Sequence, residues 1–267
     1  DGHYSFDCGS RHFEIIATPG GEAPDSVVVW MPGEGTVFTG NLFGPVFMSI
    51  PNLCTLRGDK PRSARRFLES LDTVRRLEAE LLITGHGEPV RGKEKIRADL
   101  ERLHDAVAYI HQATVEGMNA GKDVHTLMRE IRLPEKLAIG EYHGKLAWAV
   151  RTIWEEYSGW FHFDSITSLY GVPRDSVDAD LVELGGGPGP LAARAREKLD
   201  AGRALEAIHL LDIALCAAPA DAAALTVKRD ALQRLLAESG GSNLSEVMLL
   251  KSEISATEAA LKPAGQG

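Results

Sequence analysis

The sequence predicts an α/β sheet region followed by an all-α region, and three observations carry that expectation. Between His12 and Thr84, extended apolar runs stop at clusters rich in Gly, Pro, His and carboxylate, as strands do where they hand over to loops. From Gly92 onward the apolar spacing switches to the 3.6-residue helical period and keeps it almost to the end. After Gly87 no cluster of similar polar density recurs, so the chemistry belongs to the first region.

Taken in order, His12 to Thr18 alternates like a strand, with Phe13, Ile15 and Ala17 opposite His12, Glu14 and Ile16. Nothing ahead of it reads as a neighbouring strand, so the chain is expected to open partway through a fold. Ser26 to Met31 and Gly35 to Gly40 are two β-rich runs joined across Gly33-Glu34-Gly35, the pattern of a hairpin. Pro61 in a first-turn position starts a helix whose apolar residues are Ala64, Phe67, Leu68, Leu71, Val74 and Leu77. Glu80 to Thr84 reads as a buried strand ending at Gly85-His86-Gly87. Lys93 to Gly117, Asp123 to Ile131 and His143 to Tyr157 are predicted helices. The run Gly185 to Pro190 is the clearest internal break, after which Leu191 to Gly202 and Ala204 to Ala218 form an αα-hairpin. Asn243 caps a last helix, with Glu246 three residues on and an apolar stripe from Leu244 to Leu261.

Composition narrows the function. With 29 Lys and Arg against 38 Asp and Glu, the net charge is -9, which disfavours nucleic acid and acidic partners. Cys8, Cys54 and Cys216 are far apart and form no CxxC, so neither a disulfide framework nor a structural zinc site is expected; they read as buried thiols. No apolar run reaches the roughly 18 to 20 residues of a membrane helix. No membrane partner is expected, and the location is expected to be cytoplasmic.

The loops carry a resemblance. TPGGEAPDS before an apolar strand, then FTGN, then a strand ending in GHG, resembles the second half of the metallo-β-lactamase fold. In that superfamily the corresponding turn presents a metal ligand, the next strand ends in a bridging carboxylate, and the GHG histidine completes the site. Here Glu22, Asn41 and His86 stand at those positions, and glutamate at the first is the variant of the alkylsulfatases. The segment PNLCTLRGDKPRSARRF is also similar to alkylsulfatases, and residues from about 110 resemble their helical dimerisation domain. The resemblance implies a half αββα sandwich in residues 1–110 and a helical dimerisation domain in 111–267. It further implies a homodimer, and one or two zinc ions, or another divalent metal, in the intact enzyme. Two departures stand out: the HxHxDH motif occurs nowhere in the sequence, and Asn41 offers an amide where a carboxylate would bridge two cations. A missing N-terminal segment carrying HxHxDH is expected to complete the site.

Each residue has an ordinary alternative. Glu22 alone is a turn carboxylate, but inside TPGGEAP before a strand it reads as a ligand. His86, with glycine on both sides at a strand end, suits a ring that faces an open site. Asn41 serves equally as a turn cap or as a ligand. Arg57 and Asn52 either tie down a loop or, by resemblance, hold the sulfate, for which a planar guanidinium is well shaped. His104, His111, His125, His143, His162 and His209 lack ligand spacing and are expected to be surface or core residues. No catalytic acid or base is singled out. The sequence thus points to a metal-dependent hydrolase of a small anionic ester, a sulfate ester by resemblance. A thioester or phosphodiester hydrolase, or a non-catalytic helical interaction module, remains the alternative.

Overall fold

The structure is a computed structural model that describes residues 2–21, 23–54, 56, 62–162 and 164–262. It divides into two compact units, Asp1–Trp160 and Phe161–Gly267. The sequence break at Gly185 to Pro190 is therefore not the division: a helix begins inside it, at Pro188, whose fixed φ and missing N–H suit a first turn. The boundary expected between residues 110 and 111 falls inside a helix of the first unit.

Among the described residues, six strands form one sheet in sequence order: β1 (His3–Cys8), β2 (Arg11–Ala17), β3 (Val27–Met31), β4 (Thr36–Gly40), β5 (Leu81–Thr84) and β6 (Val90–Arg91). β1 corrects the expectation that nothing precedes β2. Gly9, at φ 62, allows a two-residue turn that sets Cys8 opposite Arg11 and pairs the strands along their length. All neighbours are antiparallel except β4 and β5, which run parallel through the crossover helix α1 (Ala64–Arg76). Because β2 and β4 are both antiparallel to β3, and β5 is parallel to β4, the C-terminal ends of β2, β4 and β5 share one sheet edge. That edge receives the three polar loops.

The sheet is apolar on both faces. On one, the cross-strand row Trp30, Val37, Leu82, Val90 is packed with Phe67, Leu71 and Val74 of α1 and with Ile96, Leu100 and Leu103 of α2 (Lys93–Asn119). On the other, the row Tyr4, Ile15, Val29, Phe38, Ile83 crosses five strands, with Tyr4 65% and Phe38 39% exposed. α1 starts at Ala64, with the Ser63 hydroxyl capping Arg66 N. The start expected at Pro61 is thus displaced by the better cap, and Pro61 itself lies outside the described residues.

A second core in the same unit joins α2, α3 (Val124–Glu130) and α4 (Leu146–Ser158). Ile110, Leu127, Val150 and Ile153 are buried there together with Ile50, Leu53 and Ala64 from the polar loop region. The second unit holds α5 (Asp178–Leu184), α6 (Pro188–Asp200), α7 (Ala204–Ala217), α8 (Ala222–Glu238) and α9 (Leu244–Leu261). The αα-hairpin is present as α6 and α7, and Asn243 Oδ1 accepts from Glu246 N as the capping pattern requires. α5 and α8 lack a clean apolar stripe and were not legible. No helix among the described residues is long and apolar enough to cross a membrane.

Candidate functional site

The sheet edge is built by close backbone approach. After β2, Gly20 lies so tightly against α1 that a Cβ there would come within 2.1 Å of the Arg66 carbonyl carbon, and its N–H donates to Ser70 Oγ at 3.1 Å. Gly21 packs against Leu42, which follows β4. After β5, a Cβ at Gly85 would meet Asn41 Oδ1 at 2.3 Å, and the Gly85 N–H donates to the Gly40 carbonyl at 2.7 Å. Glycine at 20 and 85 therefore lets the three loops converge.

Asn41 and His86 both lie at this edge, after β4 and β5. Both are exposed, Asn41 with its amide oxygen over Gly85 and His86 next in sequence. The Thr84 hydroxyl donates to the His86 carbonyl and fixes the backbone that carries the ring. Glu22 lies outside the described residues, and so does Arg57.

A stable zinc site takes three or more protein donors. Of the residues likened to ligands, the described ones offer one imidazole, His86, and one amide oxygen, Asn41. Among the described residues no group of three His, Cys, Asp or Glu is placed to hold a metal ion. The described residues alone therefore do not make up a metal site.

Beside the edge lies a narrow cleft of about 10 Å³, room for one water, lined in part by Gly20, Gly21, Asn52, Arg62, Phe67 and His143. Asn52 is buried, and its carbonyl accepts from Arg62 Nη1 at 2.5 Å, while Arg62 N donates to the Leu53 carbonyl at 2.9 Å. Cys54 Sγ donates to Asn52 Oδ1 at 3.3 Å. Burial pushes the Cys54 thiol above its ordinary value, which outweighs the lowering effect of its backbone hydrogen bond and of nearby Arg62. Cys54 is accordingly a neutral donor rather than a thiolate. The three cysteines were expected to be buried, but Cys8 and Cys216 are exposed and Cys54 is half-buried.

Two residues of this cleft escaped the sequence reading. Arg62 stood in the segment likened to alkylsulfatases but was not separated from its neighbours. His143 reads in the sequence as a surface or core residue, because no second ligand stands near it in the chain. Its partner is distant: the stretch before α4 pairs with the stretch after β4, through the parallel bridge between Ser49 and Gly140. That pairing sets His143 beside Gly44 and Asn52. A second hollow of about 280 Å³, lined in part by Arg62, Ser63, Glu155, Glu156 and Trp160, meets the cleft at Arg62.

The family described as "Alkyl sulfatase dimerisation" matches residues 123–253. A linear primary-alkylsulfatase from Pseudomonas sp. is 36% identical over 172 residues, which cover 62% of this chain and 32% of that protein. An alkyl/aryl-sulfatase of Saccharomyces cerevisiae is 25% identical over 230 residues, covering 84% of this chain and 35% of the relative. The chain thus spans about a third of the length of the curated relatives it matches. It shares its fold with the stereoselective inverting sec-alkylsulfatase from Pseudomonas sp., at TM-score 0.84 and 23% identity, over 99% of this chain and 42% of that one.

Proposed function

We infer that this alkylsulfatase-like chain of the metallo-β-lactamase fold supplies the anion-holding part of a sulfate-ester hydrolase. The observation that carries the inference is the grouping of Asn52, Arg62 and His143 around a gap beside Gly20, Gly21 and Leu42 of the polar loops, a gap of about 10 Å³ that has to open for an anion to enter. A sulfate monoester presents a tetrahedral group with one negative charge. Arg62 brings a planar cation, one N–H of which is held by the Asn52 carbonyl, and Asn52 and His143 bring further polar groups from two other segments. Cys54, hydrogen-bonded to Asn52 Oδ1, orients that amide so that its NH₂ faces away from the thiol.

Glu22, His86 and Asn41 are proposed as the donors this chain contributes to a divalent metal, zinc being the candidate, in one or two copies. The other donors would come from elsewhere in the intact protein. A bound metal would activate water or polarise the ester. Arg57 remains a proposed partner of the anion by resemblance. The second unit is proposed to make a homodimer, supported by the family matched and by large apolar residues exposed in the protomer, among them Leu184 (85%), Tyr170 (70%) and Met248 (63%).

The test is turnover by the intact protein of a primary alkyl sulfate, a thioester and a phosphodiester, with and without a chelator. Chelator-sensitive release of inorganic sulfate supports the proposal. Hydrolysis of only the thioester or phosphodiester moves the substrate class, and no hydrolysis of any of them favours the interaction module.

A further inference from the structure

The matched dimerisation segment begins at residue 123, yet its first part, α3 and α4, belongs to the unit that holds the cleft. α4 touches the cleft's supports at both ends. Ahead of its first turn, Gly140 forms the bridge to Ser49, with Ile50 N donating to the Gly140 carbonyl at 2.7 Å and Gly140 N to the Met48 carbonyl at 2.9 Å. The buried Ser49 hydroxyl donates to the Gly140 carbonyl at 3.1 Å and accepts from Tyr142 N at 3.0 Å. Gly144 N donates to the Ile50 carbonyl at 3.1 Å, and a Cβ at Gly144 would strike the Pro51 carbonyl oxygen at 2.3 Å. These contacts hold the backbone that leads into Asn52.

At the other end, the Glu156 carboxylate accepts from Ser63 Oγ at 2.5 Å and from Ala64 N at 3.3 Å, gripping the residue next to Arg62. Between the two ends, Ile50, Leu53 and Ala64 are buried against Leu146, Ala149, Val150 and Ile153. Thirteen residues of helix give a rigid span of about 20 Å. Arg62 in turn reaches back to the Asn52 carbonyl, so the two anchored points are also bonded to each other.

We propose that α4 is a positioning strut for the anion cleft, fixing Asn52 through the segment before it and Arg62 through Glu156, and that Glu156 is a positioning residue for anion binding. The proposal rests on the reading of the cleft as an anion site. It gives the dimerisation-type segment a second task, carried by residues that lie in the first unit.

The experiment uses the full 267-residue chain with inorganic sulfate as the probe. Calorimetry or amide chemical shifts give the sulfate affinity of wild type, Glu156→Ala and Glu156→Gln, and hydrogen exchange is followed in each. Glu156→Ala is expected to weaken sulfate binding about five- to tenfold, the loss of a charge-assisted contact pair. It should speed exchange at residues 62–64 while leaving β3, β4 and β5 as protected as in wild type. Glu156→Gln keeps one acceptor for Ala64 N and replaces the other by an NH₂ that can donate to Ser63 Oγ, so it is expected to recover part of the affinity. Wild-type affinity in Glu156→Ala, with only a lower melting temperature, would overturn the strut and leave the anion site standing. No sulfate binding by the wild-type chain would overturn the anion reading, and the strut with it. Exchange quickened equally throughout the sheet would mark Glu156 as a global stability residue and also overturn the proposal.

Discussion

Residues 123–160 and residues 161–253 fall under one family match, but their cores are made differently. α3 and α4 bury large side chains, Leu127, Val150, Ile153 and Trp154, together with Ile50, Leu53 and Ala64 from the loop region. α6, α7 and α8 bury a core dominated by alanine, with Ala192, Ala195, Ala207, Ala214, Ala224 and Ala231 all but inaccessible. Small residues let helices approach closely but add little transfer free energy per residue. Large apolar side chains such as Leu181, Leu184, Leu205 and Met248 stand exposed there instead. The difference teaches that a single sequence family can pack one part beneath a polar cleft and keep its bulky apolar surface for another.

The largest expected effect breaks that contrast at the chemistry. His86→Ala in the intact protein is expected to lower kcat/KM for an alkyl sulfate at least about 100-fold, as losing a metal donor should, with the oligomeric state unchanged. Metal analysis of the purified chain, with Glu22→Ala and His86→Ala alongside, sharpens the point. Substoichiometric metal in the isolated chain is expected; a full equivalent that either variant removes would show a complete site within these 267 residues.

Next come the two cores. Ile153 is fully buried in the first unit and Leu211 in the second. Each truncation to alanine is expected to cost about 2 to 5 kcal/mol in its own unit. Calorimetry should show Ile153→Ala lowering the transition of the unit with the cleft, and Leu211→Ala lowering the other. Both variants shifting a single shared transition by the same amount would contradict two separable cores.

A smaller effect is expected at the apolar surface. Replacing Leu184 and Tyr170 together by aspartate should weaken self-association tenfold or more, about 1.4 kcal/mol or above, without changing the fold. Light scattering across micromolar concentrations checks it. A wild-type chain that is already monomeric there would remove the homodimer proposal altogether.

How much of this was legible follows from where the signals lie in the chain. Helix periods, the Asn243 cap, the β3–β4 hairpin and the GHG strand end are local patterns, and each stands where the sequence put it. The convergence of Asn41 and His86 was legible because both follow strands that end at one edge. His143 and Arg62 were not, because their placement depends on Gly140 meeting Ser49 and on Glu156 meeting Ser63, contacts 91 and 93 residues apart in sequence. β1 was missed because its side chains are exposed on both sides, so its alternation carries no buried face to betray it. α8 was missed because its buried residues, Ala224, Leu225, Val227, Ala231 and Leu232, are mostly small and make no clear stripe.

The smallest expected effect concerns the pair that ties α6 to α8. Arg196 Nη2 donates to Asp230 Oδ2 at 2.6 Å, and Arg229 Nη2 to Asp230 Oδ1 at 2.7 Å. Partial burial alone would push the Asp230 carboxyl up, but hydrogen bonds and charge from Arg196 and Arg229 outweigh it and hold the group below its ordinary value of 3.8. The folded chain therefore binds less proton at this site than the unfolded chain as the solution becomes acidic. The stability it adds is complete above the ordinary carboxylate value and is lost as pH falls through the depressed one. Because the side chains are 38% and 27% exposed, screening should keep the contribution below about 1 kcal/mol. Asp230→Asn is expected to lose that amount at pH 7, and the gap to wild type should close as pH falls below about 4. Denaturant melts at pH 7, 5, 4 and 3 measure it. A gap of equal size at pH 3 would mean that the residue acts by packing α6 on α8 rather than through its charge.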